Sequence, residues 1–144
     1  MQAAGVLVPG SREFGAIRCQ IRASEPRLVE FTYGAGFTLI DFSNAMQFVA
    51  EYAALRGPIA IMSEVRGAAP AGAGERRRLA EIVSELDAKT KGQVCASAVV
   101  TESGLMRGVL TAVSWVHSPV YPLKPFASED DARAWLREHL AKAS

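Results

Sequence analysis

Two segments near the start of the chain have the apolar and polar pattern of β-strands and predict a hairpin. Residues 12–21 form the first predicted strand, with Phe14, Ala16, Cys19 and Ile21 on its packed side, and residues 27–33 form the second. Pro26 lies between them, fixes its own φ and biases Glu25 towards an extended conformation, which is typical of a turn.

Helical spacing of apolar residues then predicts an amphipathic helix. Thr38 is placed to cap its N-terminus, with Asp41 three residues later in the position of a capping-box acid. Gly57 and Pro58 end it. Its inward stripe consists of Phe42, Met46, Val49 and Ala53.

The remainder of the chain alternates strands and helices. The predicted elements are a strand covered on both faces (59–65), a loop (66–74), a helix (75–89), a strand (94–101), a helix (103–117), a strand (120–126) and a helix capped by Ser128. The two prolines of the last strand place it at a sheet edge. In the final helix, Trp135 and Leu136 are expected to be buried.

The predicted order is therefore ββαβαβαβα, an α/β fold. A leading β-hairpin is followed by three strand–helix units, which implies a mixed sheet covered by helices. We expect residues 1–11 to be a flexible N-terminal tail and residues 12–144 to form a single domain.

Composition excludes several function classes. The chain has 144 residues, a formal net charge of +1 and 49% hydrophobic residues, which favours a folded soluble domain over a disordered chain. The near-neutral charge gives no support to nucleic-acid binding. There is no apolar run of the roughly 18 residues needed for a membrane span, and the first residues make a poor signal peptide. We therefore expect a cytoplasmic protein.

The sequence contains no convincing catalytic or metal-binding set. His117 and His139 lack metal-ligand spacing, and no G-x-S-x-G elbow occurs. Cys19 and Cys95 lie in separate apolar strands and are interpreted as buried free thiols rather than as a disulfide pair or, for Cys95, a nucleophile. No metal or other cofactor is expected.

The stretch from residue 66 to residue 78 is the strongest candidate for ligand binding. A loop rich in glycine and alanine leads into a helix start, which can present free backbone N–H groups to an anion. Three consecutive arginines, Arg76, Arg77 and Arg78, then occupy the beginning of the helix. Two interpretations remain open: a solvated face, or a site for an anion or an acidic partner. The P-loop spacing is absent.

Parallel middle strands would bring further polar residues to the same sheet edge, where α/β proteins usually bind ligands. These candidates are Glu64, Arg66, Thr101, Glu102, Ser103 and Arg107. A carboxylate in an apolar strand must be paired or protonated, so we expect Glu64 to form a salt bridge with Arg66 or Arg107. As a general base it would need a partner that the sequence does not nominate. Trp115 lies off the main stripe of its helix and is either core or a subunit interface.

Two segments carry a resemblance to a known superfamily. They are residues 59–67 (IAIMSEVRG) and residues 121–126 (YPLKPF), the latter leading into residues 130–136 (DDARAWL). With the element order, over about residues 12–142, the chain resembles the STAS/SpoIIAA-like superfamily, including STAS/SEC14-type domains. The resemblance implies a SpoIIAA-like fold and a bacterial cytoplasmic module that works by binding, often without catalysis.

One property of that superfamily is not carried over. Its anti-sigma-factor antagonists are switched by phosphorylation of a serine or threonine in the loop after the middle strand, and here residues 66–74 contain no hydroxyl. We therefore expect a non-catalytic interaction module that binds a protein partner or a second copy of itself. The alternative is a carrier or sensor of a small anionic ligand or lipid at the carboxyl edge of the sheet.

Overall fold

Six strands and three helices make up the part of the chain that the computed structural model describes, which is residues 8–65, 73–90, 92–102 and 121–143. The strands are β1 (Gly10–Phe14), β2 (Ile17–Ile21), β3 (Leu28–Tyr33), β4 (Ile59–Val65), β5 (Val94–Val100) and β6 (Leu123–Phe126). The helices are α1 (Leu39–Arg56), α2 (Ala73–Thr90) and α3 (Glu129–Ala143).

The strands form one mixed sheet in the order β1-β2-β3-β4-β5-β6. Strand β2 runs antiparallel to both of its neighbours, β1 and β3, and strands β3 to β6 run parallel to one another. The predicted α/β class and hairpin are thereby confirmed, and β6 is an edge strand, as its prolines indicated. The helix predicted at 103–117 lies outside the described residues.

The prediction of a single strand at 12–21 was wrong. The segment contains two strands, β1 and β2, joined by a two-residue turn at Gly15 and Ala16. Side chains alternate between faces along a strand, so Phe14 and Ile17, three positions apart, cannot both face the core without a turn between them. β1 also begins at Gly10, two residues before the predicted start of the strand.

Helices α1 and α2 pack on one face of the sheet, here called the front face. The buried stripe of α1 contains the four predicted residues, and α2 contributes Ile82 and Leu86. Strand β4 is covered on both sides, as expected from its continuous apolar run: Ile59 and Ile61 face the front core, whereas Ala60 and Met62 face the back.

Helix α3 covers the opposite, back face. Ala132, Leu136 and Leu140 pack on a surface built largely from small residues, including Ala96 and Ala98. Small side chains allow a helix to approach the sheet closely. Leu136 is fully buried, as predicted, but the expectation for Trp135 was wrong, because its ring is half-buried beside Phe126, with centroids 5.5 Å apart.

Bidentate ion pairs attach α3 to the antiparallel part of the sheet. Arg133 holds both carboxylate oxygens of Glu30, at 3.1 and 3.3 Å, and Arg22 contacts the same carboxylate at 3.1 Å. Arg137 and Glu25 form a second bidentate pair at 2.8 and 2.9 Å. Such pairs fix orientation as well as proximity, so they set the position of α3.

Asp41 joins the start of α1 to the β1–β2 turn. Its Oδ2 accepts hydrogen bonds from the backbone N–H of Thr38, at 3.1 Å, and of Ala16, at 3.3 Å. The Asp41 N–H in turn donates to the Thr38 hydroxyl at 3.1 Å, which completes the predicted capping box. These backbone donors hold the pKa of the Asp41 carboxyl below its usual range.

Adding a side chain at Gly15 would test the contact between the β1–β2 turn and Asp41. Gly15 has φ +60°, and a Cβ there would lie 2.1 Å from Oδ1 of Asp41. We expect Gly15→Ala to lower the free energy of unfolding by about 2–3 kcal/mol, through left-handed strain and loss of the cap. The control is Gly36→Ala, where φ is +80° and nothing lies within 4 Å of the added Cβ. It should cost only the strain, about 1 kcal/mol. Urea unfolding measures both, and equal losses would contradict a tight contact with Asp41.

The lowered pKa of Asp41 predicts a pH dependence. A carboxyl whose folded pKa lies below its unfolded value of about 3.9 stabilises the fold above that pH and loses its effect as the pH falls through the folded pKa. Asp41→Asn should therefore be less stable than wild type at pH 7, with the difference shrinking below about pH 4. Urea unfolding between pH 3 and pH 7 measures the difference, and a constant gap would refute the prediction.

Candidate functional site

The carboxyl ends of the parallel strands, the first turn of α1 and the β1–β2 turn meet at one edge of the sheet. Strands β3, β4 and β5 end there at Tyr33, Val65 and Val100, and the antiparallel β2 begins there, since Ile17 pairs with Tyr33. This carboxyl edge is where the sequence predicted a binding site.

Glu64 lies at the carboxyl edge, between Thr32 on β3 and Val100 on β5. It is 9% exposed, and nearby Thr101 is 6% exposed. Both residues already take part in an interaction, so Glu64 is not an isolated carboxylate. Its predicted partners, Arg66 and Arg107, lie outside the described residues, and that salt bridge stays a prediction.

The structure describes the arginine run only in part. Helix α2 starts at Ala73, so all three arginines lie in its first two turns, although the side chain of Arg76 is outside the described part. Arg77 is exposed. Arg78 contacts both Glu81 and Glu85 on its own helix, each at 3.3 Å, and these bonds raise its pKa. The charge of Arg78 is therefore largely offset within α2.

The remaining predicted site residues cannot be placed against this edge. Ser103 and Arg107, and the interface candidate Trp115, lie outside the described residues. The gathering of Glu64 with arginines around an anion remains a prediction, as does a subunit interface at Trp115.

An apolar surface at the carboxyl edge was missed by the sequence analysis. Ile40, the second residue of α1, is 72% exposed. Three further exposed residues lie nearby: Ala35 and Gly36, which precede Ile40 in the chain, and Ala16, which hydrogen-bonds with Asp41. Phe37 is half-buried, and its ring lies edge-on to that of Tyr33 with the centroids 5.1 Å apart. We call Ala16, Ala35, Gly36, Phe37 and Ile40 the carboxyl-edge surface. The sequence does contain a signal for the exposure of Ile40, because this residue lies about 200° around the helix from Phe42, which belongs to the buried stripe.

Three buried tyrosines, Tyr33, Tyr52 and Tyr121, bring polar groups into the front core. The Tyr52 hydroxyl donates to the Pro26 carbonyl, whereas Tyr33 lies near Ser63 on β4 and Tyr121 lies near Asp87 on α2. Burial raises the pKa of the Tyr33 and Tyr121 phenols well above their usual value of about 10. Both phenols therefore remain protonated at neutral pH.

The two cysteines are free thiols, as predicted. Burial raises the pKa of Cys19 to about 11 and also raises the pKa of the half-buried Cys95. The thiolate is the nucleophilic form, so neither side chain is set up for nucleophilic attack at neutral pH.

Neither a membrane-spanning helix nor a metal-binding cluster is present in the described residues. None of their helices is long and apolar enough to cross a membrane. They also contain no group of three or more histidine, cysteine or acidic side chains arranged to hold a metal ion.

Comparison with known proteins gives a match to a protein family. The model of the SpoIIAA-like family matches residues 28–137, from the first residue of β3 into α3, so the β1–β2 hairpin precedes the matched region. Neither the curated proteins nor the solved structures include a significant match. Because the family match covers most of the chain and agrees with its mixed α/β fold, the protein belongs to the SpoIIAA-like family.

Proposed function

We propose that this SpoIIAA-like domain is a non-catalytic interaction module of the bacterial cytoplasm that binds a protein partner through the carboxyl-edge surface. The observation that carries the proposal is the exposure of Ile40, which is 72% accessible. It lies in the first turn of α1, which the hydrogen bonds of Asp41 and Thr38 hold in place. An apolar side chain displayed on a rigid element is a typical anchor for a partner protein.

Local hydrogen bonds support this function by holding the surface in place before binding. The Gly34 N–H donates to the Ala16 carbonyl at 2.9 Å, and the Phe37 N–H donates to the Gly34 carbonyl at 3.3 Å. Together with the Asp41 capping box, these bonds order the segment that leads to Ile40. Such preorganisation lowers the entropy cost of association.

The chemistry of the described side chains favours binding over catalysis. The cysteines and buried tyrosines are held in their neutral forms, and Glu64 is already engaged. An acid–base catalyst needs a group poised to exchange protons near neutral pH. Raised thiol and phenol pKa values move these groups away from that range.

The alternative of a small anionic ligand or lipid has less support. This alternative depends on the arginines at the start of α2, and Arg78 already forms ion pairs with Glu81 and Glu85. Arg77 is exposed and would have to carry the attraction with residues outside the described part.

A charge placed at Ile40 tests the proposal. We expect Ile40→Glu to weaken binding of the natural partner at least roughly tenfold, because a carboxylate would be desolvated at the centre of the interface. Leu55→Glu is the matched control, since Leu55 is 63% exposed at the other end of the same helix. Both variants should keep the wild-type Tm.

Native mass spectrometry after gentle purification from the source cells identifies the partner, and calorimetry with the purified partner measures the affinities. The proposal predicts a protein that is retained by wild type and by Leu55→Glu and lost by Ile40→Glu. A partner retained equally by all three chains would contradict it, as would a retained small molecule with no protein.

A further inference from the structure

The two edges of the sheet differ in how they are protected against pairing with another strand. β6 contains Pro125, follows Pro122, and carries the exposed Lys124. Prolines and lysines at an edge are common devices against edge-to-edge association. β1 has no proline between Gly10 and Phe14, and among the described strands it pairs only with β2. The outward peptide groups of β1 therefore have no strand partner among residues 8–65, 73–90, 92–102 and 121–143.

The charged residues of β1 do not guard that edge, because both are directed to their own chain. Glu13 lies opposite Arg18 on β2 and contacts its guanidinium at 3.8 Å. Arg12 lies over the ring of Phe48 on α1, with its guanidinium carbon 4.5 Å from the centroid, and donates from Nη2 to the Val8 carbonyl. Its Nη1 is buried and has no hydrogen-bond partner among the described residues.

We propose that β1 pairs antiparallel with β1 of a second copy of this chain, so that the two sheets join into one. This inference goes beyond the proposed function and uses a different surface, in a hairpin that precedes the family match. If the two copies are related by a two-fold axis perpendicular to the sheet, the front faces of both copies lie on the same side of the joined sheet. Each residue of β1 is then paired only with residues of the other β1 that lie on the same face.

A register centred on Arg12 makes the strand self-complementary. It sets Ser11 of each copy opposite Glu13 of the other on the polar back face, where a hydroxyl can donate to a carboxylate. It also sets Phe14 opposite Gly10, a pairing in which an aromatic ring covers an edge glycine. The two Arg12 side chains lie opposite each other, but each is already held on its own Phe48. The strand carries one positive and one negative charge, so the copies do not repel through net charge.

The size of the contact sets the expected affinity. Five residues from each copy form a small interface, which is typical of weak association, so we expect a Kd in the micromolar range. Because the strands run antiparallel, the carboxyl edges of the two copies point in opposite directions, and both carboxyl-edge surfaces stay accessible.

Charge substitutions at Ser11, which is exposed, test both the pairing and its register. Ser11→Glu places carboxylates opposite Glu13 of the other copy at two symmetric positions and should raise the dimer Kd roughly tenfold. Ser11→Lys places an ammonium at the same positions and should lower the Kd. The control is Gln20→Glu, because Gln20 is exposed on the same face of β2 and is Ser11's cross-strand neighbour within the chain.

Sedimentation velocity on the full chain, up to about 200 µM so as to span a micromolar Kd, measures these constants. The proposal requires a wild-type dimer, opposite shifts for the two Ser11 variants and no shift for Gln20→Glu. A wild-type monomer over the whole range would overturn it, and so would a dimer that responds equally to Ser11→Glu and Gln20→Glu. Neither result bears on binding of a partner at Ile40, which is measured with a different protein and a different variant.

Discussion

A single carboxylate oxygen, Oδ2 of Asp41, connects three parts of the fold. It accepts from the N–H of Thr38, which lies at the start of α1, and from the N–H of Ala16, which lies in the turn between β1 and β2. The Ala16 carbonyl then accepts from Gly34 at the end of β3. Helix, hairpin and central sheet are thus placed relative to one another by backbone groups that would otherwise lack partners. The position of Ile40 follows from this arrangement.

The two faces of the sheet are covered by different means. The front face is a large apolar core under α1 and α2, containing aromatic rings that include three buried tyrosines. The back face has a smaller cluster, in which Ala60, Ala96 and Ala98 lie beside larger apolar residues, and a single described helix is held on it by apolar contacts and by bidentate pairs from Arg133 and Arg137. Apolar packing supplies most of the stabilisation, whereas the ion pairs fix the angle and register of α3.

The sequence correctly predicted those features of the fold that depend on residues close together in the chain. The capping box at Thr38 and Asp41, the inward stripe of α1 and the edge position of β6 all depend on residues within a few positions of one another. The β1–β2 turn was missed because Gly15 and Ala16 are a weak turn signal, although the change of face between Phe14 and Ile17 indicated it. The pairing of Glu30 with Arg133 joins residues 103 positions apart, and only the folded chain brings them together. Ile40 was not predicted because helical periodicity identifies the buried side of α1, and Ile40 lies outside that stripe.

The place of α3 in the chain has a consequence for synthesis. Every strand of the described sheet precedes it, so the ribosome releases the complete sheet before the helix that covers the back face. Until residue 129 and those that follow emerge, Ala60, Met62, Ala96 and Ala98 form an uncovered apolar strip beside a charged Glu30 that has not yet met Arg133. A partly synthesised or partly folded chain therefore exposes apolar surface of the kind that promotes aggregation, and docking of α3 covers it.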